Sequence, residues 1–258
     1  MIQLRYSYTT KISFSENVHF HHLLLRCTPN SFDSQQIKEK RITILPAGEI
    51  SLGTDNFGNI IQSVYIPEPH NFVEFESAGV VQLTDYRIEE TLNRLYLYPS
   101  KFTQPMANID VILDRLPNKH NLPIPEMVAA LSEQIQVYMI YVPGSTTVQT
   151  TASQSLEMGK GVCQDFAHLL ISMCRKSGIP ARYVAGFMQG EGFTHAWIEF
   201  YDNGCWYGFD PTHNRLIETG YIKIAHGRDY EDCAIDRGTF RGIAHQKLEV
   251  FLKVEQQQ

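Results

Sequence analysis

Three residues of this chain are best suited to covalent chemistry: Cys163 in GKGVCQDFAHLL, His195 in THAWIEFY and Asp210 in CWYGFDPTHN. A thiol, an imidazole and a carboxylate can act in series. The imidazole takes the thiol proton, the thiolate attacks an acyl carbon, and the carboxylate orients the ring and stabilises its cation. The reaction class would be acyl transfer, with water as acceptor giving hydrolysis and an amine giving a new amide. A lone cysteine is ordinarily a small packing residue, so the case depends on whether its partners can reach it.

Phe166, Leu169, Leu170, Met173 and Cys174 repeat at helical spacing and predict a buried helix of about four turns, with Gly178 and Pro180 as its stop. Cys163 falls in the first turn, where unpaired backbone N–H groups and the dipole favour a thiolate and an oxyanion. The Cys163 N–H is one oxyanion donor; Gln164 is a candidate for the second, which stays open. His168 is five residues on, about 140° around the helix, so it does not face Cys163 and reads as structural.

For His195 the sequence permits a register test. Ala196, Ile198 and Phe200 alternate with His195, Trp197 and Glu199, and Asn203-Gly204 is a two-residue hairpin signal. With Asp202 and Cys205 flanking the turn, Ile198 pairs with Phe209 and Trp197 with Asp210. Asp210 then shares a face with His195, diagonal to it. The same pairing gathers Cys205, Tyr207 and Phe209 with Ala196, Ile198 and Phe200 on an apolar core face.

The elements that must position these residues fall into two halves. Residues 1–100 read as an antiparallel β domain of short strands (LRYSYTTKISF, VHFHHLLLRC, KEKRITILP, NIIQSVYIP). Pro99, Pro105, Pro117 and Pro123 mark 101–124 as a linker. From Pro125, a helix (PEMVAALSEQIQVYM), the cysteine helix and the strands RYVAGFM, THAWIEFY, CWYGFD and LEVFLKV make 125–258 an α+β unit. The Gln256-Gln257-Gln258 tail reads as disordered.

The net charge of −6 with scattered basic residues argues against a nucleic-acid partner. No run of about 18 apolar residues occurs, so no membrane span is expected. Five cysteines, an odd number without CxxC pairs, argue against a disulfide framework or a cysteine zinc site and for a reducing, cytoplasmic setting. Nothing in the pattern fixes an oligomeric state.

The stretches GVCQDFAHLL, GIPARYVAGF, THAWIEFY, WYGFDPTHN and HGRDYEDCAIDRG, with YSYTTKISFS, LLLRCTP and DNFGN in the first half, resemble the transglutaminase-like superfamily. The resemblance is to bacterial proteins that carry a separate β domain in front of the catalytic part. It implies a papain-like catalytic domain, in which the cysteine heads a central helix packed on an antiparallel sheet bearing the histidine and the aspartate. The family's nucleophile, base and third member fall on Cys163, His195 and Asp210. Because members include cross-linking enzymes, peptidases, amidases and inactive proteins, the resemblance leaves the reaction open.

The expected function is hydrolysis of a peptide or amide bond in a peptide, protein or other amide substrate, without cofactor or metal. Transamidation of glutaminyl groups and an idle binding module are the alternatives. After GRDY the family reads DVAPLRG or similar, whereas this chain has DCAIDRG, placing Asp236 where a hydrophobic residue is common.

The remaining polar residues have plainer readings. Asp55-Asn56-Phe57-Gly58-Asn59 lacks the bidentate glutamate of a calcium loop and reads as a hairpin turn. His19, His21 and His22 lack an evident third ligand and read as surface or packing residues. Trp197 either walls the acyl pocket or simply packs. His213 stands near the cleft without a defined orientation, and Arg228, Asp229 and Tyr230 read as a salt-bridged loop.

Overall fold

Leu4, Tyr6, Tyr8, Thr10, Ile12 and Phe14 are buried while Gln3, Arg5, Lys11 and Ser13 are exposed, the period-two pattern of a strand with one face on a core. In the computed structural model, which describes residues 1–105, 107–116, 122–190 and 192–257, this pattern opens one long strand, β1 (Ile2–Leu25). The two short strands expected here are thus continuous. Register breaks between Ser13 and Val18 and between His19 and His22 bend the strand, and Phe20 takes a φ of 51° at the bend. Pro117 of the expected linker and Gln258 of the tail lie outside the described residues.

The two halves of β1 have different neighbours in one sheet. Antiparallel β2 (Gln35–Leu45), β3 (Glu49–Thr54), β4 (Ile60–Ile66) and β5 (His70–Leu83) complete most of this sheet, in the order β2-β5-β1-β4-β3, with β5 along the first half of β1 and β4 along the second. A short β6 (Arg87–Glu89) and a 3-10 turn (Arg94–Leu97) follow. Next come α1 (Ala107–Asp114), α2 (Ile124–Tyr138), β7 (Ile140–Tyr141), α3 (Ala152–Met158), β8 (Lys160–Gly161) and α4 (Cys163–Lys176). The expected linker 101–124 therefore contains a helix, because Ile109, Ile112 and Leu113 bury one face of α1 in the core of the second half. The segment before it is anchored by buried Arg175, which donates to Ser100 Oγ, Thr103 Oγ1 and the Tyr96 carbonyl.

The second sheet holds β9 (Ala181–Met188), β10 (His195–Asp202), β11 (Cys205–Asp210), β12 (Arg215–Leu216) and β13 (Tyr221–Gly227), in the order β12-β11-β10-β9-β13 with β6 beside β11. One face packs α2 and α4 through Phe166, Leu169, Leu170, Ile198 and Phe200. Its other face, where His195, Trp197 and Glu199 were expected to lie outside the core, is buried as well. Trp197 and Trp206 are both 0% exposed there, packed with Tyr86, Tyr96 and Tyr221.

Glu199 sits at the centre of a buried charge cluster. It accepts two hydrogen bonds of 2.8 Å from Lys223 Nζ and one of 2.6 Å from Tyr86 Oη, and it pairs with Arg182 Nε. Burial disfavours its anion, yet Arg182 and Lys223 outweigh this and hold the carboxyl at about 2. Its role is structural.

After α5 (Tyr230–Cys233) the chain returns to the first sheet. β14 (Asp236–Arg241) pairs with the second half of β1, and β15 (Gln246–Gln256) pairs with its first half, Leu4 opposite Gln256. The end of the expected 125–258 unit thus belongs by hydrogen bonding to the amino-terminal sheet. The expected disordered tail is corrected for the same reason: Gln256 lies in β15 and the Gln257 N–H donates to the Gln3 carbonyl at 2.9 Å. Tyr6 and Tyr8 of β1 meet Phe187 of β9 at 5.6 and 5.1 Å between ring centroids, joining the two sheets in one core. Among the described residues no helix is long and apolar enough to cross a membrane.

Candidate active site

Each residue of GKGVC has a local job. Gly159 ends α3 in a left-handed conformation at φ 63°, and Lys160-Gly161 pairs with Ile140-Tyr141. Val162 then turns the chain into α4. Asp165 caps the turn by accepting from the Val162 N–H at 2.8 Å and from Thr146 Oγ1 at 2.6 Å. A Cβ on residue 161 would stand 2.6 Å from Asp165 Cβ, so this close approach requires glycine.

The first α-helical bond of α4 runs from the Phe166 N–H to the Val162 carbonyl, leaving the N–H groups of Cys163 and Gln164 ahead of the ladder. Cys163 is partly exposed at this position, whereas Cys27, Cys174, Cys205 and Cys233 are buried, and all five are free thiols.

The hairpin has the register derived from its turn. Ile198 faces Phe209 and Asp202 faces Cys205, and Asn203 and Gly204 both take positive φ, at 46° and 86°. That register brings His195 Nε2 to 2.8 Å from Asp210 Oδ2. The ring's remaining nitrogen, Nδ1, is the one free to serve the Cys163 thiol. Gly186 opposite His195 makes room for Trp197, whose Cη2 would lie 2.4 Å from a Cβ there. Trp197 runs nearly parallel to the His195 ring, 6.3 Å away between centroids, so it shields the ring and packs in the core at once.

The electrostatics favour an imidazolium. Burial disfavours the cation, but the Asp210 hydrogen bond, then the hydrogen-bonding influence of Cys163 and the charges of both groups, raise His195 to about 10. Burial likewise opposes the Asp210 anion. Hydrogen bonds and charge from His195, with hydrogen bonds from Tyr221 and His213, nevertheless hold its carboxyl well below the usual range.

Two of those donors lie outside the sequence-derived set. Tyr221 Oη donates to Asp210 Oδ2 at 2.7 Å and in turn accepts from Arg215 Nη2 at 2.8 Å. His213 Nδ1 donates to the same oxygen at 2.8 Å, and the backbone N–H groups of Thr212 and His213 donate to Oδ1. His213 could be suspected from DPTHN, but Tyr221 is brought in by β13 with no local signal.

His195, Asp210 and His213 also have ligand atoms within 4.8 Å of one another, a set that could hold a metal ion. An ion there would have to replace both imidazole N–H bonds to Asp210 and would occupy the nitrogen that orients His195.

His168 sits in the core and does not line the site. It is wholly buried, stacks on Phe102 at 5.3 Å, accepts the Tyr230 N–H at 3.1 Å and is held down at about 3 by burial. Gln164 Nε2 donates to the Val148 carbonyl at 3.3 Å, which engages the group considered as an oxyanion donor. His21 Nδ1 lies 3.1 Å from His70 Nε2, and His22 stacks on Tyr65, so the amino-terminal histidines pack rather than converge. Asp55 closes a turn by accepting from the Phe57 and Asn59 N–H groups and from Arg26. Arg228 pairs with Asp232 at 2.8 Å and Asp229 caps α5.

Cys163, His195 and Tyr230 line one cleft of about 350 Å³, with Tyr8 and Val250 from the amino-terminal sheet on its other side. A cavity of about 400 Å³ between α1 and α2 has neither a cysteine nor a histidine among its described lining residues.

Comparison with known proteins agrees with this architecture. Residues 113–211 match the Transglutaminase-like superfamily, and residues 4–82 match the Bacterial transglutaminase-like N-terminal region. A functionally uncharacterised protein of Mycobacterium leprae is 29% identical over 255 residues, covering 89% of this chain and 90% of its own. An uncharacterised protein of Mycobacterium tuberculosis is 29% identical over 250 residues, covering 82% and 79%. Among solved structures, a protein of Cytophaga hutchinsonii described as "a Putative Cysteine Protease" superposes with a TM-score of 0.82 at 24% identity, over 99% of this chain and 91% of that one. That likeness establishes a shared fold.

Proposed function

For a chain that belongs to the transglutaminase-like superfamily, we propose cysteine-dependent acyl transfer through a Cys163 thioester, with hydrolysis of a peptide or amide bond as the reaction. One observation carries the reading. His195 is held by a buried carboxylate on one nitrogen while the partly exposed thiol at the head of α4 acts on the ring and opens on a cleft.

His195 Nδ1 takes the Cys163 proton, and the thiolate adds to the acyl carbon. The oxyanion forms in front of the free N–H groups at the start of α4. As the C–N bond breaks, the imidazolium returns the proton to the departing amine, leaving a thioester. His195 next removes a proton from water, whose oxygen attacks the thioester, and the thiol is released with a carboxylic acid product. Asp210 stays ionised throughout and compensates the imidazolium charge.

The test is alkylation of the native protein with iodoacetamide, followed by peptide mapping. Cys163 is expected to react at least about tenfold faster than the buried cysteines and to lose that advantage in His195→Ala. Equal rates at all five thiols refute the reading. Incubating a glutaminyl peptide with a primary amine then separates hydrolysis, which cleaves the peptide or converts its side-chain amide to the acid with loss of ammonia, from transamidation, which also releases ammonia but adds the amine to the peptide.

A further inference from the structure

Across the cleft from Cys163 stands a wall that the reaction above leaves unused. The amino-terminal sheet builds it: Tyr8 from β1, Asp236 from β14, and Leu248 and Val250 from β15, with Tyr230 of α5 at the join. Asp236 is partly exposed there. Among the described residues its carboxylate takes part in no hydrogen bond or ion pair, and burial pushes its carboxyl above the usual range.

Two cations on the adjoining backbone, Arg237 next in the chain and Arg26 after the Leu25 that faces Asp236, are engaged elsewhere. Arg26 pairs with Asp55 at 2.9 Å, and Arg237 donates to the Glu231 carbonyl at 2.7 Å. A half-buried carboxylate without a counter-charge is costly to the fold. In a substrate cleft, that cost is offset by an occupant that brings N–H donors and positive charge. Tyr230, partly exposed in the same lining, adds aromatic attraction for an alkylammonium, and the aliphatic side chains of Leu248 and Val250 accept its methylene stem.

We propose that Asp236 is a specificity residue that binds an organic ammonium group of the substrate, seated against Tyr8 and Tyr230 with its stem along Leu248 and Val250. This rests on Cys163 being the reacting thiol of the cleft. The ammonium belongs to a lysyl side chain of the acyl donor.

The probes are methanethiosulfonates: 2-aminoethyl (cationic), methyl (neutral) and 2-sulfonatoethyl (anionic). The Cys163 thiolate attacks the sulfenyl sulfur, a disulfide forms, and methanesulfinate leaves with the electron pair of the broken S–S bond. Rates at Cys163 are divided by those at free cysteine and read as cation-to-neutral and anion-to-neutral ratios within each variant, so any general change in thiol reactivity cancels.

In the native protein the cationic reagent should be favoured about tenfold over the neutral one, the preference a single partly screened charge supports, and the anionic one disfavoured. Asp236→Asn and Asp236→Glu keep the volume near native, and circular dichroism checks that each is folded. The ratios should collapse toward unity in the first and persist in the second. Protection of Cys163 by N-acetyl-lysine N-methylamide that is lost in Asp236→Asn supports the lysyl assignment, and absence of protection in the native protein counts against it. Native ratios near unity, or ratios unchanged in Asp236→Asn, overturn the proposal. A slow absolute rate with the neutral reagent would instead count against Cys163 as nucleophile while leaving the ratios readable.

Discussion

Replacing Asp210 with asparagine keeps the shape of the side chain and removes the charge on which His195 depends. Buried His195 would by burial alone prefer neutrality, and Asp210 supplies the foremost influence that raises it to about 10. Without the carboxylate, its titration should fall toward the ordinary imidazole value of about 6.5, a loss of about 5 kcal/mol in preference for the cation. Asparagine would also present an amide to the Tyr221 hydroxyl and the His213 N–H, which now converge on one oxygen. The assay is the His195 Hε1 resonance followed by NMR from pH 5 to pH 11 in both proteins, with iodoacetamide alkylation of Cys163 in parallel. Alkylation at pH 7 should slow by about 10²-fold or more as the imidazolium is lost. A midpoint within one pH unit of the native value would refute the coupling.

Three further outcomes follow from the same geometry. Glu199→Gln removes the anion shared by Lys223, Arg182 and Tyr86, so urea unfolding should show a loss of about 3–5 kcal/mol while the His195 titration keeps its midpoint. Gly161→Ala drives a methyl into Asp165, and should cost about 1–3 kcal/mol and slow Cys163 alkylation by loosening the helix start. With pH, the depressed carboxyls of Glu199 and Asp210 contribute stability above about pH 4.3 that is lost as pH falls, for Glu199 through about 2. The raised His195 contributes stability that is full below about 6.5 and lost as pH rises through about 10. Urea midpoints should therefore peak between these limits, and the alkaline decline should shrink in Asp210→Asn.

What was legible in the sequence was local. The apolar spacing from Phe166 to Cys174 marks α4, and the Asn203-Gly204 turn sets the strand register that carries Asp210 to His195. The alternation around Trp197 and Glu199 misled, because it looks like one core face and one open face. A second core covers that side, and Glu199, Arg182 and Lys223 are buried there as neutralised partners whose types suggest solvent. Nor does any local pattern announce that β14 and β15 flank β1, since such pairings are written in shape complementarity between distant segments. Tyr221 escaped for the same reason: its strand reaches Asp210 only once the sheet is assembled.

The return of the chain to β1 also bears on function. Had the carboxyl-terminal strands stayed with the second sheet, Cys163 and His195 would face an open surface, and a thioester there would be exposed to bulk water. Instead β1, β14 and β15 stand opposite the start of α4 and close the other side of the cleft. Tyr8 illustrates the coupling: its ring stacks on Phe187 of the second sheet and also lines the cleft. A Tyr8→Ala substitution should therefore cost about 3–5 kcal/mol of stability by opening a cavity between the sheets. It should also weaken the cation preference at Cys163 in molecules that remain folded. If the preference persisted undiminished in the folded fraction, the wall would be serving the fold alone.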